Sequence, residues 1–81
     1  MEKLTIKLIR KLYRLRKIVA SHTLMENLPK GFPKHLRREI KDIVKDLIKE
    51  GFLLARKHNY GLGVSLNPER LDEIEKIIEE K

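Results

Sequence analysis

The chain has no cysteine, no tryptophan and no glutamine. Without cysteine there is no disulfide framework, thiolate zinc site, iron–sulfur cluster or cysteine nucleophile. Only Tyr13, Phe32, Phe52 and Tyr60 are aromatic, so the core must be built from aliphatic side chains. Apolar runs are short, Gly51 to Ala55 being typical, and none approaches the length of a membrane span. The early lysines are followed by no continuous apolar segment of the signal-peptide kind. A cytoplasmic protein with no membrane partner is the expectation. Acidic residues are scarce in the front half: residues 1–38 carry 11 basic groups and only 2 acidic ones.

The 81 residues suffice for one small domain, spanning residues 1–81. Charged residues make up 38%, and abundant Lys, Glu and Ile without Gln suits a thermophilic composition. The net charge is +7 and is unevenly spread. Residues 39–66 hold 5 basic and 4 acidic groups, and residues 67–81 hold 3 and 6. A basic front and an acidic tail make a dipolar chain, and a polyanion is the first partner this suggests.

Leu4, Leu8, Leu12, Leu15 and Val19 recur at helical spacing and predict an amphipathic helix over residues 3–20. Lys3, Lys7, Arg10, Arg14 and Lys17 form a basic stripe on its opposite side. Thr23-Leu24-Met25-Glu26 fits a capping box ahead of a short second helix, which Pro29, Gly31 and Pro33 interrupt. Leu24, Met25, Leu28 and Phe32 are expected to pack inward. Residues 34–50 carry the clearest helical pattern, with Leu36, Ile40, Ile43, Val44, Leu47 and Ile48 on one face and Gly51 as its stop. Two strands follow, Phe52–Lys57 and Leu62–Leu66, joined by the turn residues His58-Asn59-Tyr60-Gly61. In the second strand the alternation of Leu62, Val64 and Leu66 with Gly63 and Ser65 predicts one buried face. Asn67-Pro68 starts a last helix, with Leu71, Ile74, Ile77 and Ile78 turned inward. The fold class is therefore mainly α with a short two-stranded antiparallel hairpin (α+β), in the order helix-helix-helix-strand-strand-helix.

That order, and the run Ile40-Lys41-Asp42-Ile43-Val44-Lys45-Asp46-Leu47-Ile48-Lys49-Glu50-Gly51-Phe52-Leu53, resembles the winged-helix family of helix-turn-helix domains. The chain looks most like small archaeal winged-helix proteins of unassigned role. Its second helix is shorter than the family's usual one, and its joint holds two prolines. The resemblance implies a third helix that enters the DNA major groove, its first turns meeting base edges. On the matching positions these are Lys34, His35, Arg37, Arg38 and Lys41.

Periodicity alone gives that helix a basic outer stripe of Lys34, Arg38, Lys41, Lys45 and Lys49. Arg37 and Arg38 suit bidentate guanine contacts, and the lysines suit phosphates. The competing reading is a solvated face laced by the pairs Arg38–Asp42, Asp42–Lys45 and Asp46–Lys49. The hairpin tip, Arg56, Lys57, His58, Asn59 and Tyr60, is a second candidate contact; the plain alternative is an ordinary turn. Arg10, Arg14 and Lys17 are a third, suited to phosphates or to an acidic helix such as the last helix of another copy. A homodimer through the first or last helix is thus expected as an option.

Catalysis is not expected. His22, His35 and His58 lack metal-ligand spacing, and Ser21, Thr23 and Ser65 have no nucleophile setting. No cofactor or metal is expected. The leading expectation is double-stranded DNA binding by a transcriptional regulator or chromatin-type protein. A protein–protein module, or an RNA- or ribosome-associated one, stands as the alternative.

Overall fold

In the computed structural model the described residues are 2–15 and 23–79. Lys17, Val19, Ser21 and His22 lie outside them. Helix α1 spans Lys3–Arg14, and strand β1 is the two-residue segment Thr23–Leu24. A 3-10 helix, Met25–Gly31, and a shorter one, Lys34–Leu36, lead into α2, Arg37–Glu50. Strands β2, Leu53–His58, and β3, Gly61–Leu66, precede a 3-10 turn at Pro68–Arg70 and helix α3, Leu71–Glu79. The chain is mainly helical with one small sheet.

That sheet has three antiparallel strands, not two, in the order β1-β3-β2. Thr23 pairs with Val64 and Leu24 with Gly63. The capping box at Thr23 therefore does not form; Leu24 is the residue before the 3-10 helix, and no side chain caps it. Thr23 is β-branched and finds a free strand edge, which outcompetes a cap on a segment that Pro29 keeps from becoming α-helical. The β2–β3 hairpin closes on the pair His58↔Gly61, one residue beyond the expected strand ends, leaving Asn59-Tyr60 as the two-residue turn. In β3, Gly63 and Ser65 are buried along with Val64 and Leu66, so both faces of this stretch are covered.

The core joins Leu8, Ile9 and Leu12 of α1 to Ile40, Val44 and Leu47 of α2, Leu53 of β2, Val64 and Leu66 of β3 and Ile74 of α3. Leu28, Phe32 and Phe52 close its edges. On α1 the buried arc includes Thr5 and Ile9. It is rotated by roughly 50° from the leucine stripe. Leu15, at the helix C-cap, is 52% exposed.

The two strongest punctuation signals form as expected. Gly51 ends α2 at φ +86°, with its N–H donating to the Ile48 carbonyl and the Phe52 N–H to the Leu47 carbonyl. This closes the helix with the left-handed residue that only glycine adopts without strain. Asn67 accepts from the Glu69 N–H at 3.0 Å and also donates to the Gly51 carbonyl at 2.8 Å. One side chain thus caps the last helical segment and ties it to the α2–β2 corner.

Candidate nucleic-acid interface

Around α2 the charges separate. Taking about 100° per residue, Arg38, Lys41, Lys45 and Lys49 fall within an arc of roughly 80°. Glu39, Asp42, Asp46 and Glu50 fall within an adjacent arc of similar width. All eight are exposed. Lys41 shares a shallow groove of about 310 Å³ with Gly61 and Leu62 of the hairpin and with Met25 and Glu26. Asp46 and Glu50 instead line a groove of about 200 Å³ with Glu2 and Thr5 at the start of α1. The basic half of α2 therefore lies on the hairpin side and the acidic half on the α1 side.

The pairs Arg38–Asp42, Asp42–Lys45 and Asp46–Lys49 of the competing reading are not formed. Among the described residues the ion pair is Arg70–Glu73, at 2.8 Å. Arg37, Arg38, Lys41 and Lys45 make no hydrogen bond or ion pair through their side chains with any described residue. Lys34 and His35 are exposed on the 3-10 turn that enters α2. On the hairpin, Arg56 and Lys57 are exposed on β2, and Asn59 is exposed in the turn. Tyr60, 61% exposed, stacks on His58 with ring centroids 5.1 Å apart and planes 11° apart. This stack gives the tip a flat aromatic surface beside two cations.

No family model, curated protein or solved structure matches this chain. The site stands on its geometry.

The α1 cations divide differently. Arg10 donates through Nη2 to the Ile78 carbonyl at 3.2 Å, fastening α1 to the end of α3. Next to it, the Tyr13 hydroxyl donates to Glu75 Oε2 at 2.6 Å. Arg14 is exposed and borders two grooves. Lys17 lies outside the described residues.

Two engaged cations escape a reading of stripes. Lys11 places its ammonium 5.1 Å from the Phe32 ring centroid, covering the edge of the core beside Gly31. Arg70 lies 4.0 Å over the Phe52 ring, donates to the Glu50 carbonyl at the end of α2, and grips Glu73 with Nε and Nη2. The Glu73 hydrogen bond raises the Arg70 pKa further above its ordinary value. The same bond holds the Glu73 carboxyl below the usual glutamate value. Glu73 follows Arg70 by three residues across a helix start, a spacing that signals such a pair. The ring contact and the reach to Glu50 have no local signal.

Among the described residues no three of His, Asp and Glu come together in a group able to hold a metal ion. Nor is any described helix long and apolar enough to cross a membrane.

Proposed function

We propose that this chain is a nucleic-acid-binding module of the winged-helix kind that holds double-stranded DNA against α2 and the β2–β3 hairpin, acting as a transcriptional regulator or chromatin-type protein rather than as an enzyme. The observation that carries the reading is the charge separation on α2. Its basic half adjoins the hairpin, through Lys41 beside Gly61 and Leu62, and its acids face α1. A helix nearly balanced in total charge thus offers a polyanion one flank whose own charges are basic, with Glu26 the acid beside Lys41 in the adjoining groove.

In this arrangement Lys34, Lys41 and Lys45 neutralise phosphates. Arg37 and Arg38, on the first turn of α2, have the planar fork that reads guanine. Arg56 and Lys57 are successive on β2 and so point to opposite faces, one of them extending the positive surface onto the hairpin, and the His58–Tyr60 stack supplies an aromatic tip. Lys11 and Arg70 take no part, because each is held against an aromatic ring.

The test reverses one half of α2 at a time. Lys41→Glu with Lys45→Glu is expected to remove measurable duplex binding. Asp42→Lys with Asp46→Lys on the other flank is expected to leave binding intact or strengthen it. Equal losses from both pairs would defeat the reading. Unchanged duplex binding with altered capture of a protein partner would favour the protein–protein module, and a preference for structured RNA over duplex DNA the RNA-associated one.

A further inference from the structure

We propose a second interaction surface, independent of the nucleic-acid reading: the outer faces of α1 and α3 pair with the same faces of a second copy of this chain. The surface is a shallow groove of about 600 Å³ between the two helices, lined by Lys3, Ile6, Lys7, Arg10, Arg14 and Ile78. Four of these are cations and the other two are isoleucines. No described acid lines the groove, so its occupant must bring an acidic crest with some apolar surface.

The chain itself carries such a crest. Asp72, Glu75 and Glu79 are exposed on α3 and repeat at intervals of three and four, so they share one face. The bonds between α1 and α3 also set the register. Arg10 reaches Ile78, and Tyr13 reaches Glu75. As numbers rise on α1 they fall on α3, so the two helices run antiparallel and these residues are level.

A two-fold axis running parallel to the helices lays α1 of one copy over α3 of the other and preserves that level. Arg14 then stands one residue from the level of the partner's Glu75, and Lys7 two residues from that of the partner's Glu79. The offsets are about 1.5 and 3 Å along the axis, well within the reach of long cationic side chains. The symmetry repeats both pairs. Exposed ion pairs alone hold little. Here they set the register, while Ile6 and Ile78 give each groove its apolar lining.

The experiment is sedimentation equilibrium of the full chain over a range of concentration and salt, with circular dichroism to confirm folding. The wild type is expected to form a dimer that weakens as salt rises. Lys7→Glu with Arg14→Glu makes the groove acidic, and Asp72→Lys with Glu79→Lys makes the crest basic. Arg10 and Glu75 are left in place because they join α1 to α3. Each double variant alone is expected to dimerise at least about ten-fold more weakly, a modest loss for several like-charge contacts. An equimolar mixture of the two is expected to recover a heterodimer, since one groove–crest contact is then wild type and the other has both of its charges reversed.

A wild type that stays monomeric at low salt would overturn the proposal, as would a dimer that neither pair affects. Should the variants fail to fold, the wild-type salt series still decides: a dimer indifferent to salt contradicts the proposed contact. If Lys7→Glu with Arg14→Glu weakens duplex binding while the wild type is monomeric, the stripe belongs to the nucleic-acid surface and the self-pairing is wrong.

Discussion

Cations at the α2–β2 corner and cations on the hairpin flank of α2 have opposite fates. At the corner, Arg70 is held by the Phe52 ring, the Glu50 carbonyl and Glu73, while Asn67 bonds the Gly51 carbonyl beside it. On α1, Lys11 and Arg10 are likewise committed to Phe32 and Ile78. On the flank, Arg37, Arg38, Lys41 and Lys45 touch no carboxylate among the described residues, although Asp42 and Asp46 share their helix. The difference teaches that a positive charge belongs to the fold when a ring or a helix-end carbonyl lies within its reach. It is available to a partner when the neighbouring acids fall on an adjacent arc and form no ion pair with it.

The sharpest way to break this comparison is to remove the unengaged cations. Arg37→Ala, Arg38→Ala and Lys41→Ala together are expected to lower duplex affinity about 100-fold or more at low salt, since guanine and phosphate contacts go together. Folding stability, followed by urea denaturation, should change by no more than about 0.5 kcal/mol per site. On the hairpin, Arg56→Ala with Lys57→Ala should cost roughly ten-fold in affinity, mostly through phosphates. Gel-shift or anisotropy titration measures both.

The engaged side should respond in the opposite sense. Asn67→Ala removes a helix cap and the bond to Gly51, and is expected to cost about 1 kcal/mol of stability with duplex affinity unchanged under folding conditions. The smallest effect is one of pH. The Glu73 pKa lies below its ordinary value of 4.5 in the folded chain, so its pairing with Arg70 stabilises the protein above that pH. The contribution is lost as pH falls through the lowered value. Comparing thermal midpoints of the wild type and Glu73→Gln, the gap should narrow as pH drops below 4.5 and stay constant above it.

Where a single residue type decides the local backbone, the sequence is a sufficient guide. Gly51 and Asn67-Pro68 stop and start helices for reasons of φ and hydrogen bonding that need no tertiary context. The long apolar period of α2 likewise predicts which face is buried. Elements that depend on distant partners are hidden. A two-residue strand such as Thr23–Leu24 has no period to detect and exists because β3 offers an open edge. The rotation of α1 toward Ile9 depends on what packs against it, which the spacing of the leucines does not show. The ion pairs of the competing reading on α2 satisfy the spacing rule and still do not form. Spacing supplies opportunity, and solvated lysines gain little by taking it.

The site is legible in sequence as a set of basic residues but not as a surface. Lys34, Arg38, Lys41 and Lys45 fall on one stripe by periodicity. Their position beside the hairpin, through Gly61 and Leu62, requires the fold. Arg10 and Lys11 show the reverse: they belong to a basic helix in sequence but are engaged with protein groups in space.

The central claim is that the unengaged cations of α2 and the hairpin bind the phosphates of duplex DNA. The most direct measurement is the affinity of the wild-type chain for duplex DNA as a function of salt. The account predicts tight binding at low salt and a linear fall of log affinity with log salt, with a slope of roughly −4 to −6 for five to seven phosphates neutralised. Replacing Lys41 and Lys45 should make that slope shallower by about 2, near one for each phosphate left unneutralised. No detectable binding at low salt, or an affinity indifferent to salt, would contradict it.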